Sequence, residues 1–201
     1  KNEPTQISTL SNVKEISTGY SHAVALLENG EVYSWGQGIN GQLGNGTEEN
    51  STVPVKVDGI SNIVKVDSYK NISMALSNDG KVYVWGEGYS TLPMRVVFSE
   101  KVIDISGTLM LTTKGEVYNI SDTTKAISNF NSIAKISCGE AHNLALSTNG
   151  VVYSWGKNTY GECGVSNATT VVSKEISYSI SDISAGNCTS ILKADDGKVY
   201  V

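Results

Sequence analysis

Three groups of residues in this 201-residue chain have types that could do chemistry. Gly36-Gln-Gly38-Ile-Asn-Gly41 spells a G-x-G-x-x-G after an apolar run. That spacing brings backbone against a pyrophosphate when a helix follows. His22 and His142 are the only histidines, the side-chain type best suited to proton transfer or metal ligation near neutral pH. Cys138, Cys163 and Cys188 stand 25 residues apart each time. None of these groups completes a site. Gln-Leu-Gly-Asn-Gly-Thr follows Gly41 and cannot begin a helix of useful length, so the glycines read as loop turns. The cysteine spacing matches no zinc pattern, and three thiols cannot all pair within one chain, so they read as small buried apolar side chains. Asp79 and Asp195-Asp196 sit at turns without the rest of a calcium loop. No serine has a nucleophile-elbow context and no carboxylates converge on the histidines. The expectation is no catalytic residue, no cofactor and no metal, and therefore no enzyme.

The elements that carry these residues recur. Glu15-Ile-Ser-Thr-Gly-Tyr-Ser-His-Ala-Val-Ala-Leu26 returns as Lys135-Ile-Ser-Cys-Gly-Glu-Ala-His-Asn-Leu-Ala-Leu146. Asn29-Gly-Glu-Val-Tyr-Ser-Trp-Gly36 returns as Asp79-Gly-Lys-Val-Tyr-Val-Trp-Gly86 and Asn149-Gly-Val-Val-Tyr-Ser-Trp-Gly156. The turn glycines Gly30, Gly80, Gly115, Gly150 and Gly197 are separated by 50, 35, 35 and 47 residues, with the differences taken up in loops. Each unit holds two apolar runs joined by Asn-Gly, Asp-Gly or Lys-Gly. The first two dipeptides suit a type I′ hairpin, which needs positive φ at both central residues, and Lys114-Gly115 suits it less well. Strands are predicted near 13–17, 22–28, 31–35 and 53–57, with equivalents in later units and little helix. The runs 23–27 and 72–76 are apolar on both faces, as in sheets stacked around an axis, and the in-phase tryptophans and tyrosines belong to the core between them. The two histidines occupy equivalent places and are expected to make one framework hydrogen bond per unit.

With Gly19, His22, Ala25, Leu26, Gly30, Val32, Tyr33, Trp35, Gly36, Gly41, Gln42, Leu43 and Gly44 in phase, the first unit resembles the regulator of chromosome condensation repeat family. The fourth unit matches at Gly139, His142, Ala145, Leu146, Gly150, Tyr153, Trp155, Gly156, Gly161 and Gly164, with Glu162-Cys163 in place of Gln-Leu. The resemblance implies an all-β propeller of four-stranded blades. About four to five units are present in one domain over 1–201, near 13–59, 60–100, 101–128, 129–178 and 179–201, plus an outer strand at 4–7. Family members form seven-bladed rings, so the chain reads either as an open piece of such a ring or as a five-bladed closure in which 4–7 completes the unit 183–201. An open piece exposes apolar blade faces and should self-associate.

Hydrophobic residues at 39% and charged residues at 17% describe an ordinary globular chain. A net charge of −5 with singly spread lysines argues against direct nucleic-acid binding. No apolar run is long enough to cross a bilayer as a helix, and Lys1–Gln6 lacks a signal core. Arg95 alone against fourteen lysines points toward an AT-rich, bacterial genome, and with it a cell-surface or secreted setting. The Asn-x-Ser/Thr triplets, among them Asn71, Asn119, Asn167 and Asn187, are expected by chance in so Asn- and Ser-rich a chain. The frame is kept while residues change at the short turns Tyr20-Ser21, Lys70-Asn71, Glu140-Ala141 and Asn187-Cys188. The first expectation is thus a non-catalytic module that binds a protein through Tyr20, Ser21, Lys70, Asn71, Glu140 and Asn187 on one rim. The long loops 37–52 and 157–170 form a competing surface on another edge. A structural spacer in a large surface protein, or an enzyme inhibitor similar to bacterial β-lactamase inhibitor propellers, are the alternatives.

Overall fold

The computed structural model describes residues 3–127, 130, 132–164, 172–174 and 179–201, the segment 172–174 as a strand path. Asn167 and the far part of the loop 157–170 lie outside the described residues. No helix occurs among the described residues. The chain divides into two compact units, Lys1–Val96 and Val97–Val201.

The first unit contains two sheets. β1 (Val13–Thr18), β2 (His22–Leu27), β3 (Val32–Gly36) and β4 (Ser51–Lys56) form one, in chain order. β5 (Ile63–Tyr69), β6 (Ile72–Ser77), β7 (Val82–Gly86) and β8 (Met94–Arg95) form the next. The second unit contains three. β9 (Val102–Ser106), β10 (Leu109–Thr112) and β11 (Val117–Asn119) make a three-stranded sheet, with a bridge from Asn119 to Asp122. β12 (Ile133–Cys138), β13 (His142–Ser147), β14 (Val152–Gly156) and β15 (Val172–Lys174) make a four-stranded one. β16 (Ile180–Ala185), β17 (Ser190–Ala194) and β18 (Val199–Tyr200) make the last. All pairs are antiparallel, and the strands of the first unit start and end within two residues of the expected positions. The strand expected at 4–7 is not formed: these residues are exposed and belong to no ladder.

The hairpins differ from expectation in an informative way. The Leu27 N–H donates to Glu31 C=O at 2.9 Å and the Gly30 N–H to Leu27 C=O at 2.9 Å, so the connection has three residues. Within it φ is positive at Gly30 alone, +82°. This is a turn followed by a left-handed glycine bulge, not a type I′ turn. Ser77–Lys81, Thr112–Glu116 and Ser147–Val151 close in the same way. Only the glycine must adopt positive φ, so Lys114 precedes Gly115 without strain, contrary to the type I′ expectation.

Cores form where consecutive sheets of a unit face each other. Val24, Leu26 and Val32 of the first sheet are packed with Ile63, Val66, Ala75 and Trp85 of the second. Leu109, Leu111 and Val117 meet Ile133, Ile136, Ala145 and Tyr153, and Leu144, Leu146 and Val152 meet Ile180, Ile183 and Ala194. Both faces of β6 and β10 are buried throughout, which is why these strands read as continuous apolar runs.

Candidate functional site: one edge of turns and loops

Antiparallel pairing puts the β1–β2 turn and the β3–β4 loop at the same end of a sheet, because His22 lies opposite Gly36 in the register. The Gln37 N–H donates to Ser21 C=O at 2.7 Å. Glu87 N–H to Asn71 C=O at 3.0 Å and Lys157 N–H to Ala141 C=O at 2.8 Å repeat the arrangement. Expecting the long loops on another edge from the turns was therefore wrong. They spring from the same edge, as strand alternation requires. Gly36 makes this contact at φ +106°, and a Cβ there would lie 2.5 Å from Ser21 O, so no other residue fits.

The turns also meet their neighbours within each unit. The Tyr20 N–H donates to Lys70 C=O at 2.9 Å, which brings Tyr20, Ser21, Lys70 and Asn71 together in the first unit. Glu140 N–H to Gly186 C=O at 3.1 Å does the same for the turns bearing Glu140 and Asn187 in the second. The six expected residues thus form two groups, four in one unit and two in the other. Tyr20 is 58% exposed. Lys70 Nζ lies over the Tyr69 ring, 5.1 Å from its centre. Asn71 Nδ2 donates to Glu87 Oε2 at 3.0 Å. Glu87 and its equivalents Gln37 and Lys157, each following a Trp-Gly, were missed in the sequence. The two-residue periodicity of strand direction could have found them. Further along the loops, Ile39, Tyr89, Leu92 and Tyr160 are exposed large apolar side chains.

Beneath this edge the histidines hold the loops in place. His22 Nε2 is 2.8 Å from Ser73 Oγ on the next sheet, and the Ser73 hydroxyl donates to Gln42 C=O at 2.9 Å. Trp85 Nε1–H donates to the same carbonyl at 3.0 Å, and the Ser34 hydroxyl donates to Leu43 C=O. In the second unit His142 Nε2 is 3.0 Å from Ser190 Oγ, whose hydroxyl donates to Glu162 C=O at 2.6 Å, and Ser154 donates to Cys163 C=O at 2.7 Å. Each serine proton is committed to a carbonyl, so the imidazole Nε2–H is the donor to the serine oxygen. A histidine in that role removes no proton from the hydroxyl, and the pair is not a nucleophile and its base. Burial lowers the His22 pKa from 6.5 to about 4, so the ring is neutral near pH 7. Burial lowers that of His142 too, opposed by the Glu162 charge. The Gly19 position is open because the His22 ring lies there: a Cβ would stand 2.3 Å from His22 Cε1 and 2.4 Å from Lys70 O. The glycine run 36–41 is a loop in which the Asn40 N–H donates to the side-chain oxygen of the following Gln42 at 2.8 Å, with no helix behind it.

Two models described as the regulator of chromosome condensation (RCC1) repeat match the chain, one at 29–76 and 149–192, the other at 13–42, 63–90 and 133–162. The ultraviolet-B receptor UVR8 of Arabidopsis thaliana is 33% identical over 192 residues, taking in 77% of this chain and 43% of UVR8. The human E3 ubiquitin-protein ligase HERC2 is 26% identical over 217 residues, 94% of this chain and 4% of HERC2. The chain therefore spans less than half the length of these relatives. Among solved structures, Prp20p from Saccharomyces cerevisiae superposes with a TM-score of 0.81 at 24% identity, over 94% of this chain and 56% of Prp20p. Human WBSCR16 gives 0.79 at 24%, over 91% and 58%. Both likenesses show the fold, that of a β-propeller with sheets as blades. On the repeat residues that both models match, the chain belongs to the regulator of chromosome condensation repeat family.

Proposed function

We propose that the chain is a non-catalytic protein-binding platform, and that partners sit on the edge where the short turns and long loops emerge together. The carrying observation is the bond from Tyr20 N–H to Lys70 C=O, which fixes an exposed aromatic beside a cation and the Asn71–Glu87 pair on one side of the first unit. Tyr20, Ser21, Lys70 and Asn71 there, with Glu140 and Asn187 in the second unit, are the proposed contact residues. An exposed rigid aromatic among mixed charges suits a protein surface more than a polyanion. Buried histidines tied through serine hydroxyls to loop carbonyls supply a stiff base on which the outer residues can vary. The solved relative Prp20p is described with binding properties to Gsp1p and histones, and yeast RCC1 was solved bound to Kap60; these are properties of those proteins and lend the reading its class. The repeat boundaries near 13–59, 60–100, 101–128, 129–178 and 179–201, as parts of one propeller domain, belong to the same proposal.

Site-resolved photo-crosslinking tests it. With p-benzoylphenylalanine in place of Tyr20, discrete protein adducts should form in extract of the source cells. With the same group in place of Asp79, in the hairpin at the opposite end of β6, they should not. Adducts at position 79 and none at 20 would sink the reading.

A further inference from the structure

The two long loops also plug the space between their own sheet and the next. In the first unit the plug is Gln42-Leu43, both fully buried. The next sheet grips it through a cross-strand pair, Ser73 opposite Trp85 in the register. The Ser73 hydroxyl and the Trp85 Nε1–H donate to the one Gln42 C=O at 2.9 and 3.0 Å, and His22 donates to Ser73 from the first sheet. Gly44 then lies on the indole, where a Cβ would be 2.7 Å from Trp85 Nε1. In the second unit Ser190 grips Glu162 C=O in the same way at 2.6 Å.

Between the third and fourth sheets, both inside the second unit, the grip is present and the plug is not. Asn143 stands opposite Trp155 as Ser73 stands opposite Trp85. Strand alternation puts both on the face of Ala145 and Tyr153, which is packed against the third sheet. Among the described residues no loop comes across from that sheet. After β11 the Asp122 N–H donates back to Asn119 C=O at 3.1 Å and the Thr123 hydroxyl to Val97 C=O at 3.3 Å, so the chain turns away at once. β10 also begins without the histidine that opens β2 and β13. The grip is correspondingly empty-handed. Among the described residues neither the Asn143 amide nor the Trp155 indole N–H has a hydrogen-bond partner, and Asn143 Oδ1 is buried in that state. Trp85 is 0% exposed, whereas Trp155 is only partly buried, with the centre of the Phe130 ring 4.9 Å from its own.

We propose that this notch takes an extended segment of a protein partner, one main-chain carbonyl of which accepts from Asn143 Nδ2 and Trp155 Nε1 as Gln42 C=O accepts from Ser73 and Trp85. The chain's own plug defines the occupant: a carbonyl, then an apolar residue in the manner of Leu43, then a small residue against the indole. Both donors are neutral and lie beside aromatic rings, which suits an amide carbonyl better than a carboxylate. The contact rests on the protein-binding reading of this edge and adds to it the chemistry of the partner, which is read through its backbone with one apolar anchor.

Titration of the isotope-labelled 201-residue chain with a capped peptide of residues 40–46, the chain's own plug, tests the proposal by NMR of the indole N–H resonances. The Trp155 resonance, assigned by its loss in Trp155→Phe, should move saturably with a Kd of roughly 1 mM. That of Trp85, already donating to Gln42 C=O, should stay in place. Asn143→Ala should weaken binding about fivefold or more. It should not lower the thermal midpoint, because Ala23 holds that place opposite Trp35 in the first sheet and a buried oxygen without a donor is removed. Asn143→Ser restores the donor of Ser73 and should bind within about twofold of wild type. A Trp155 resonance that stays still up to about 10 mM peptide overturns the proposal, as does a shift that Asn143→Ala leaves unchanged. Binding of N-methylacetamide as tight as that of the peptide would overturn the peptide occupant in favour of a small amide. Loss of crosslinking at position 20 with the Trp155 shift intact would sink the first-unit contact alone, so the two readings fail separately.

Discussion

Acid should unfold this protein partly through His22. The folded ring has a pKa of about 4 against 6.5 for the free side chain, with burial as the cause. The folded state therefore favours the neutral ring, and the unfolded state takes up the proton first as pH falls. His22 contributes its full share above pH 6.5, and that share is lost progressively down to about pH 4. The shift of roughly 2.5 units corresponds to about 3 kcal/mol at 1.36 kcal/mol per unit. The ring is 4% exposed, so solvent screening takes little from that figure. Against a typical domain stability of about 5–15 kcal/mol the loss is large. Urea unfolding followed by tryptophan fluorescence at steps from pH 7.5 to 4 measures it, since Trp85 is buried on the Gln42 carbonyl that Ser73 also binds. Exposed carboxylates such as Asp79, held at about 2 by Lys81 and Ser77, titrate outside this window. Other carboxylates are removed by comparison with His22→Ala. That variant should be less stable than wild type by about 1–3 kcal/mol at pH 7.5, because Ser73 loses its donor and a cavity opens. The gap should shrink as pH falls toward 4. A gap that stays constant, or an imidazole titrating near 6.5 by NMR, would refute the reasoning. His142→Ala should show the same trend with a smaller change, since Glu162 opposes the shift there.

Three further outcomes follow from the same geometry. Ser73→Ala should cost about 1–3 kcal/mol in thermal unfolding, because it strands the buried His22 Nε2–H; an unchanged midpoint would mean that water or another group takes its place. Gly19→Ala should cost about 1–3 kcal/mol by pressing a methyl on the His22 ring and the Lys70 carbonyl, whereas Ser21→Ala beside it should change stability by less than about 0.5 kcal/mol. Once a partner is in hand, Tyr20→Ala should weaken its binding by about 1 kcal/mol or more with stability unchanged, and normal binding by this variant alongside loss on altering 37–50 would move the contact to the loop.

The sequence alone determined most of the strands from Val13 onward, their antiparallel order and the framework role of the histidines, but not the absence of a strand at 4–7 or of a fourth strand beside β9–β11. These depend on contacts a few residues apart, such as Leu27 with Glu31 across a glycine, or on a pattern repeated in phase at His22 and His142. The edge shared by turns and loops needs only strand alternation and so was open to the same reading, yet the long loops were expected on another edge. The detail of the hairpin was not: Asn-Gly fits both a type I′ turn and a turn with a glycine bulge, and the strand twist on either side selects between them. Tertiary structure alone decided which groups meet across sheets. That His22 reaches Ser73 and shares a carbonyl with Trp85 depends on how two sheets stack some fifty residues apart in the chain. Ile16 and Ile136 sit in nearly identical sequences, yet one is exposed and the other buried. Residue type sets what a side chain gains by burial; whether it is buried depends on whether another sheet lies against it.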